Sequence, residues 1–193
     1  MSEISASQKK WDGHYAEAEL GAAASVLIEN AHLLPPEGEG LEIACGMGAN
    51  AAFMARAGLH VHAWDISQVA IEKLQTYAFN EKLSVIGQIR DTVQDPPAEH
   101  SFDVIVISHF LDRQLMPFLI KALKPGGLLF YQTFSKLRVD DSGPRNEAFR
   151  LGDNELLSLC SSLRVVAYRE EQAIGDVSKG YRNLVKYVGQ KKD

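Results

Sequence analysis

The exchange of short apolar runs with helix-patterned stretches between residues 41 and 133 constrains this chain more than any other feature. LEIAC (41–45), LHVHAW (59–64), SVIGQI (84–89), FDVIVIS (102–108) and LLFYQTF (128–134) have the length and the β-branched or aromatic content of strands. Helical spacing fills the gaps at residues 49–57 (closed by Gly58), at 69–81 behind a Ser67 cap, and at 112–123, stopped by Lys124-Pro125-Gly126-Gly127. FDVIVIS is a continuous run of the kind that central parallel strands show. Such alternation means βαβ units with right-handed crossovers. A short helix, NELLSLCSSL, is expected next, capped near Asp153. The closing runs LRVVAYREEQ and YRNLVKYVGQ have no helical pattern between them, so they are expected as an antiparallel addition. The expected fold is α/β: a doubly wound open sheet, mostly parallel with an antiparallel strand at one edge and helices on both faces.

At 193 residues, 46% hydrophobic and 23% charged, the chain suits a single globular unit. Residues 1–34 are expected as an N-terminal helical extension or lid, with a helix from about Tyr15 to His32 that stops before Pro35-Pro36. Residues 35–193 are expected as the main domain. The net charge of −5 argues against a nucleic-acid partner, which needs a basic face. The N-terminus has no apolar signal region and no stretch of about 18 apolar residues follows, so a cytoplasmic location and no membrane contact are expected. Cys45 and Cys160 form no CxxC pattern, which fits a reducing compartment. His60 and His62 share one strand face, but the sequence nominates no third or fourth ligand, so no metal is expected. No required protein partner is evident.

Sheets of this class bind ligands beyond the carboxyl ends of their strands, which here gathers residues 44–49, 65–67, 91–92 and 108–113. Gly46-x-Gly48-x-x-Ala51 formally matches the Rossmann-like dinucleotide fingerprint, with alanine third. The lysine and hydroxyl of a P-loop are missing. Glu42 separates the remaining readings. A carboxylate beside the turn repels pyrophosphate by up to about 4 kcal/mol at close range, and it attracts a cation. S-adenosylmethionine carries an ammonium and a sulfonium and no phosphate. Two alternatives stand beside it: an NAD(P)-binding oxidoreductase, disfavoured by Glu42, Asp91 and the closing strand pair, and a non-catalytic adenosylmethionine-binding module, disfavoured by the polar loop 135–152.

The ordered set of motifs resembles the class I S-adenosylmethionine-dependent methyltransferases. Their glycine motif follows an acid, often as E/D-x-G-x-G-x-G, and this chain has E-I-A-C-G-M-G with Ala44 in the first glycine's place. WDIS (Asp65), IRD (Asp91), FDVIVISHFL and KPGGLLFYQTF continue the likeness, and WDGHY resembles the W-D/N-x-x-Y stretch that often precedes the domain. Within the family the chain most resembles small bacterial tellurite-resistance-type methyltransferases.

The resemblance implies S-adenosylmethionine as cofactor, with the glycine turn from Glu42 to Gly48 against its methionine part. Asp65, ending a strand roughly 17 residues after Gly48, can accept two hydrogen bonds from a ribose diol. Ile66 can cover an adenine face, and the family implies contact of Asp91 with the adenine amino group and of the Thr92 amide with the ring edge. Ser108 and His109 would flank the methionine part and the methyl group. Trp11 and Tyr15 are lid candidates. Cys45 reads as a small filler. Direct in-line transfer needs no triad and no metal; His109 is the candidate general base. The loop SKLRVDDSGPRNEAFRLG (135–152) is too long for a plain link. It brings Arg138 and Arg145 towards the rim that Arg113 reaches, and the three are expected as a receptor for a small-molecule anion such as tellurite or selenite, with Arg145 aiding turnover.

Overall fold

A computed structural model describes residues 3–192; Met1, Ser2 and Asp193, at the outer ends of the two expected segments, lie outside the described residues. Seven strands form one sheet: β1 (Glu39–Ile43), β2 (His60–Asp65), β3 (Val85–Ile89), β4 (Phe102–Ser108), β5 (Leu123–Phe134), β6 (Leu163–Glu170) and β7 (Leu184–Lys191). Their order is β3-β2-β1-β4-β5-β7-β6. β1 to β5 pair in parallel, and β7 runs antiparallel between β5 and β6. The reversed strand thus lies one place in from the edge, and β6 closes the sheet.

Helices α3 (Ala49–Arg56) and α4 (Gln68–Asn80) pack one face through Ala51, Met54, Ile71 and Leu74, against Val61, Ala63, Val104 and Val106. On the other face α5 (Met116–Ala122) and α6 (Glu155–Leu159) cover Leu41, Ile43, Ile105 and Ile107. Residues 104–107 of β4 are fully buried, as its unbroken β-branched run requires. β1 and β4 lie side by side at the middle of the order, where the chain switches direction across the sheet, so a crevice opens above their carboxyl ends.

The N-terminal segment departs from the single helix expected over 15–32. α1 (Glu3–Ala16) ends where that helix was to begin, residues 17–24 are irregular, and beyond them come only the short α2 (Ser25–Glu29) and a single 3-10 turn at Ala31–Leu33. Tertiary contacts override the alanine-rich propensity. Lys73 Nζ donates to the carbonyls of Tyr15, Ala16 and Ala18 (2.8, 2.7 and 3.1 Å) and closes α1 as a C-terminal cap. The Ala24 amide is taken by Asn50 Oδ1 at 2.7 Å, and the Val26 amide and Ser25 hydroxyl both donate to Gln132 Oε1. About one turn earlier α1 is fixed by Asp12, whose Oδ1 accepts from the Ser67 hydroxyl (2.6 Å) and the Val69 amide (3.2 Å). The expected Ser67 cap forms: its Oγ accepts from the Ala70 amide at 3.2 Å. Helix α5 is shorter than the expected 112–123, because Asp112 turns residues 112–115 by accepting from the Gln114 and Leu115 amides.

Candidate active site

The glycine turn is built for close approach to its backbone. Gly46 and Gly48 have φ of +51° and +77°, and a Cβ on Gly48 would lie 2.3 Å from Leu74 Cδ1. Ala44, in the family's first glycine position, also adopts a left-handed φ of +50°, so its methyl group carries strain that glycine would avoid. Gly48 caps α3 without a side chain, and Glu42 replaces it: Oε2 accepts the Ala51 amide and Oε1 accepts Asn50 Nδ2, both at 2.7 Å. Asn50 Nδ2 also donates to Ser108 Oγ at 3.0 Å. One asparagine therefore ties β1, β4 and the Ala24 segment together above the crevice. Sequence reasoning missed it, since an asparagine in an alanine-rich helix gives no periodic signal.

Glu42 is buried, and desolvation pushes its pKa up to about 8 against the pull of Asn50 and Ala51. The expectation that its negative charge faces a ligand is corrected on two counts. Both oxygens serve protein donors, and at pH 7 the group is mostly neutral. It braces the turn and meets a ligand only indirectly.

Asp65 ends β2, where Oδ2 accepts the Gly46 amide at 2.7 Å and Oδ1 the Ser67 amide at 2.9 Å. Burial raises its pKa, and Asp12 adds to the rise. The Ile66 amide adds a third backbone hydrogen bond, and of a carboxylate's about four acceptor positions one is left for the ribose. Tyr15 lies over the turn: a Cβ on Gly46 would come within 2.6 Å of its hydroxyl. Desolvation and the nearby Asp65, Cys45 and Glu42 hold the phenol in its protonated form. Trp11 stacks on Tyr15 with centroids 5.9 Å apart, so both lid candidates sit on the same side of the turn. Ile66 is half-buried beside them, and Cys45 is a buried free thiol that desolvation keeps protonated.

Asp91 follows β3 and accepts from the Val93 amide at 3.1 Å through Oδ1, an Asx turn that leaves Oδ2 open; Thr92 beside it is buried. His109 stands after β4 in a left-handed conformation (φ +55°), its amide donating to Gln132 O at 2.8 Å. Its ring still meets solvent, yet the protein packed around it, Phe134 at 5.2 Å included, lowers its pKa.

The three expected arginines do not form a joint receptor. Arg113 donates through Nε to Glu155 Oε1 (2.5 Å), through Nη1 to Ala148 O and through Nη2 to Arg150 O, so its fork holds the loop. Arg138 pairs with Asp141. Arg145 is exposed and, among the described residues, has no hydrogen-bond or ion-pair partner. The missed residue is Arg150, fully buried, which donates to the carbonyls of Pro144, Ser135 and Ser142 and lies 5.4 Å from the Phe134 ring. It folds the 135–152 loop onto Phe134 and so against His109.

The site's residues suit S-adenosylmethionine: a backbone cradle that a Cβ would fill, an acid at the end of the next strand for the ribose, and carboxyls in place of phosphate-binding cations. Comparison with known proteins agrees. Residues 41–127 match the methyltransferase domain family. The chain is 29% identical over 135 residues to a ubiquinone biosynthesis O-methyltransferase of Xanthomonas axonopodis pv. citri, covering 65% of this chain and 56% of the relative. To that of Caulobacter vibrioides it is 36% identical over 103 residues, 50% of this chain and 40% of the relative. It thus spans about half the length of these relatives. Among solved structures, TehB from Haemophilus influenzae superposes with a TM-score of 0.75 at 20% identity, over 95% of this chain and 67% of that one. A SAM-dependent methyltransferase from Methanosarcina mazei gives 0.68 at 20% identity, over 89% and 99%. The strand order and the glycine cradle agree with the match of residues 41–127 to the methyltransferase domain family, and the solved methyltransferase structures share the fold.

Proposed function

We propose that the protein is an enzyme that transfers a methyl group from S-adenosylmethionine to a small-molecule acceptor and releases S-adenosylhomocysteine. The observation that carries this reading is the cradle of Gly46 and Gly48, with the carboxyl of Asp65 on the Gly46 amide and Asp12 beside it and, among the described residues, no basic side chain hydrogen-bonded into the turn, which suits a ligand without phosphate. When bound, the cofactor supplies a methyl group already activated on a sulfonium, so the protein need offer no nucleophile. Asp65 would hold the ribose, Ile66, Asp91 and Thr92 the adenine, and Ser108 with the turn the methionine part. Tyr15 and Trp11 exclude water from above, which strengthens every polar contact beneath. The lowered pKa of His109 leaves its imidazole neutral at pH 7, the form that accepts a proton from an acceptor hydroxyl.

For the acceptor, we favour a small anion such as tellurite or selenite, drawn by the unpaired Arg145 on the loop that Arg150 folds against the site. A hydroxyl acceptor is the second reading, favoured by the O-methyltransferase names of the relatives. The two need different residues. Selenite or tellurite takes the methyl on the lone pair of its central atom and needs no base, so Arg145→Ala lowers its turnover while His109→Gln leaves it active; a phenol shows the reverse. The test is adenosylhomocysteine release with tellurite, selenite and a catechol as acceptors. Cofactor binding without release on any acceptor would establish a non-catalytic binding module instead.

A further inference from the structure

Glu39 and His60 begin neighbouring strands and are direct cross-strand partners in the parallel register, with His62 two residues further along the same face of β2. In a parallel pair these three side chains leave the sheet on one side, a geometry fixed by backbone hydrogen bonds. One ring nitrogen of each histidine and one carboxylate oxygen of Glu39 lie within 4.8 Å of one another. His62 Nε2 is 3.4 Å from Glu39 Oε2. That separation is close to the edge of a tetrahedron with ligands at about 2.0–2.1 Å, the distances of imidazole and carboxylate on zinc. His60 Nδ1 is held at 2.6 Å by Ser84 Oγ, which aims the ring and leaves Nε2 for a metal, as an outer partner does for a ligating histidine.

The surroundings are unlike the rest of the sheet. The connection between β3 and β4 carries no helix, so on this face β2 and β3 are bordered by the loop of residues 90–101, with the Arg90 guanidinium 3.8 Å from the Trp64 ring, whereas α5 covers β4. A cavity of about 630 Å³ remains, lined by His60, His62, Trp64, Gln88, Arg90 and Phe102 among others. Trp64 is 3% exposed, and its indole N–H has no partner among the described residues. A buried donor left unpaired costs about 1–3 kcal/mol, so the cavity favours a polar occupant. An ordinary solvated strand face would show apolar residues under a helix or charged ones in open water; this one shows half-buried imidazoles and a carboxylate around a hollow.

We propose that Glu39, His60 and His62 bind a zinc ion, with the fourth position open to water or a small anion. Imidazole and carboxylate ligands suit zinc, and sites with three protein ligands keep such an open place. The site lies at the amino ends of the strands, roughly 13 Å of strand from the glycine turn. It shares no residue with the methyltransferase site and does not depend on that reading.

The test uses the untagged full chain, stripped with chelator and titrated with zinc by calorimetry and with cobalt by absorption. One zinc per chain is expected, with a four-coordinate cobalt spectrum free of thiolate charge-transfer bands. The His60→Ala/His62→Ala double variant loses binding, Glu39→Gln weakens it while leaving both rings in place, and Ser84→Ala costs about 10–100-fold in affinity. Circular dichroism and adenosylhomocysteine affinity should stay as in the unaltered chain. Absence of stoichiometric zinc binding overturns the proposal, as does unchanged binding in the histidine double variant or in Glu39→Gln.

Discussion

Raising the pH should destabilise this protein through Glu42, and the structure gives the size of the effect. The buried carboxyl has a pKa of about 8 in the fold against 4.5 as the ordinary value. Because the folded state holds this proton more tightly, stability from the group is full below pH 4.5 and is lost as pH rises through 8. Linkage over those two values predicts a loss of about 3–4 kcal/mol between pH 5 and pH 8. That is a large share of the roughly 5–15 kcal/mol that holds a domain together. Glu42→Gln removes the titration while keeping the side chain's shape and one acceptor. Urea unfolding of both proteins at half-unit steps from pH 5 to 9 isolates the residue, because Asp65, His109 and the other shifted groups are common to both. The difference in unfolding free energy, with the unaltered chain losing ground to Glu42→Gln as pH rises, is the predicted result. Parallel curves across pH 5–8 would refute the argument, since they mean that Glu42 titrates alike in the folded and unfolded chain.

Asp65→Ala should both weaken adenosylhomocysteine by about 1.5–3 kcal/mol and lower the unfolding midpoint, since the carboxylate also holds the Gly46 and Ser67 amides. Calorimetry and urea melts check the two effects, and an effect on neither would remove the residue from the site. Lys73→Met removes the three carbonyl contacts at the end of α1 and should raise amide exchange in residues 6–16, with about 1 kcal/mol lost locally; equal protection would mean that the helix is held by other contacts. Ala44→Gly should stabilise the fold by about 0.5–1 kcal/mol by relieving the left-handed backbone, a gain reduced by glycine's own entropy and read from thermal melts.

Much of the sheet was legible because its signals are local. FDVIVIS spells a buried strand by itself, and the glycine turn, Ser67 cap and Asp65 fall where strand ends meet helix starts. What escaped depends on contacts distant in sequence. α1 has no strong apolar stripe, and it is held by Asp12 on the start of α4 and by Lys73 from α4's second turn. Arg150 resembles the other arginines of a polar loop, yet it alone among them is buried, while Arg113 is spent on Glu155. Glu39 could not be paired with His60 before the register of β1 on β2 was known. Glu42 was located correctly but given the wrong charge, since its protonation follows from burial that the sequence does not display.

The central claim is that the glycine cradle takes adenosylmethionine chemistry in place of a dinucleotide. Isothermal titration of the full chain with S-adenosylhomocysteine and, separately, with NAD and NADP tests it most directly. One adenosylhomocysteine per chain, with binding weakened in Asp65→Ala, is the predicted result. At about 100 times its dissociation constant the ligand should also add roughly 2.7 kcal/mol of stability. Saturable binding of a nicotinamide dinucleotide with no heat from adenosylhomocysteine would contradict the account.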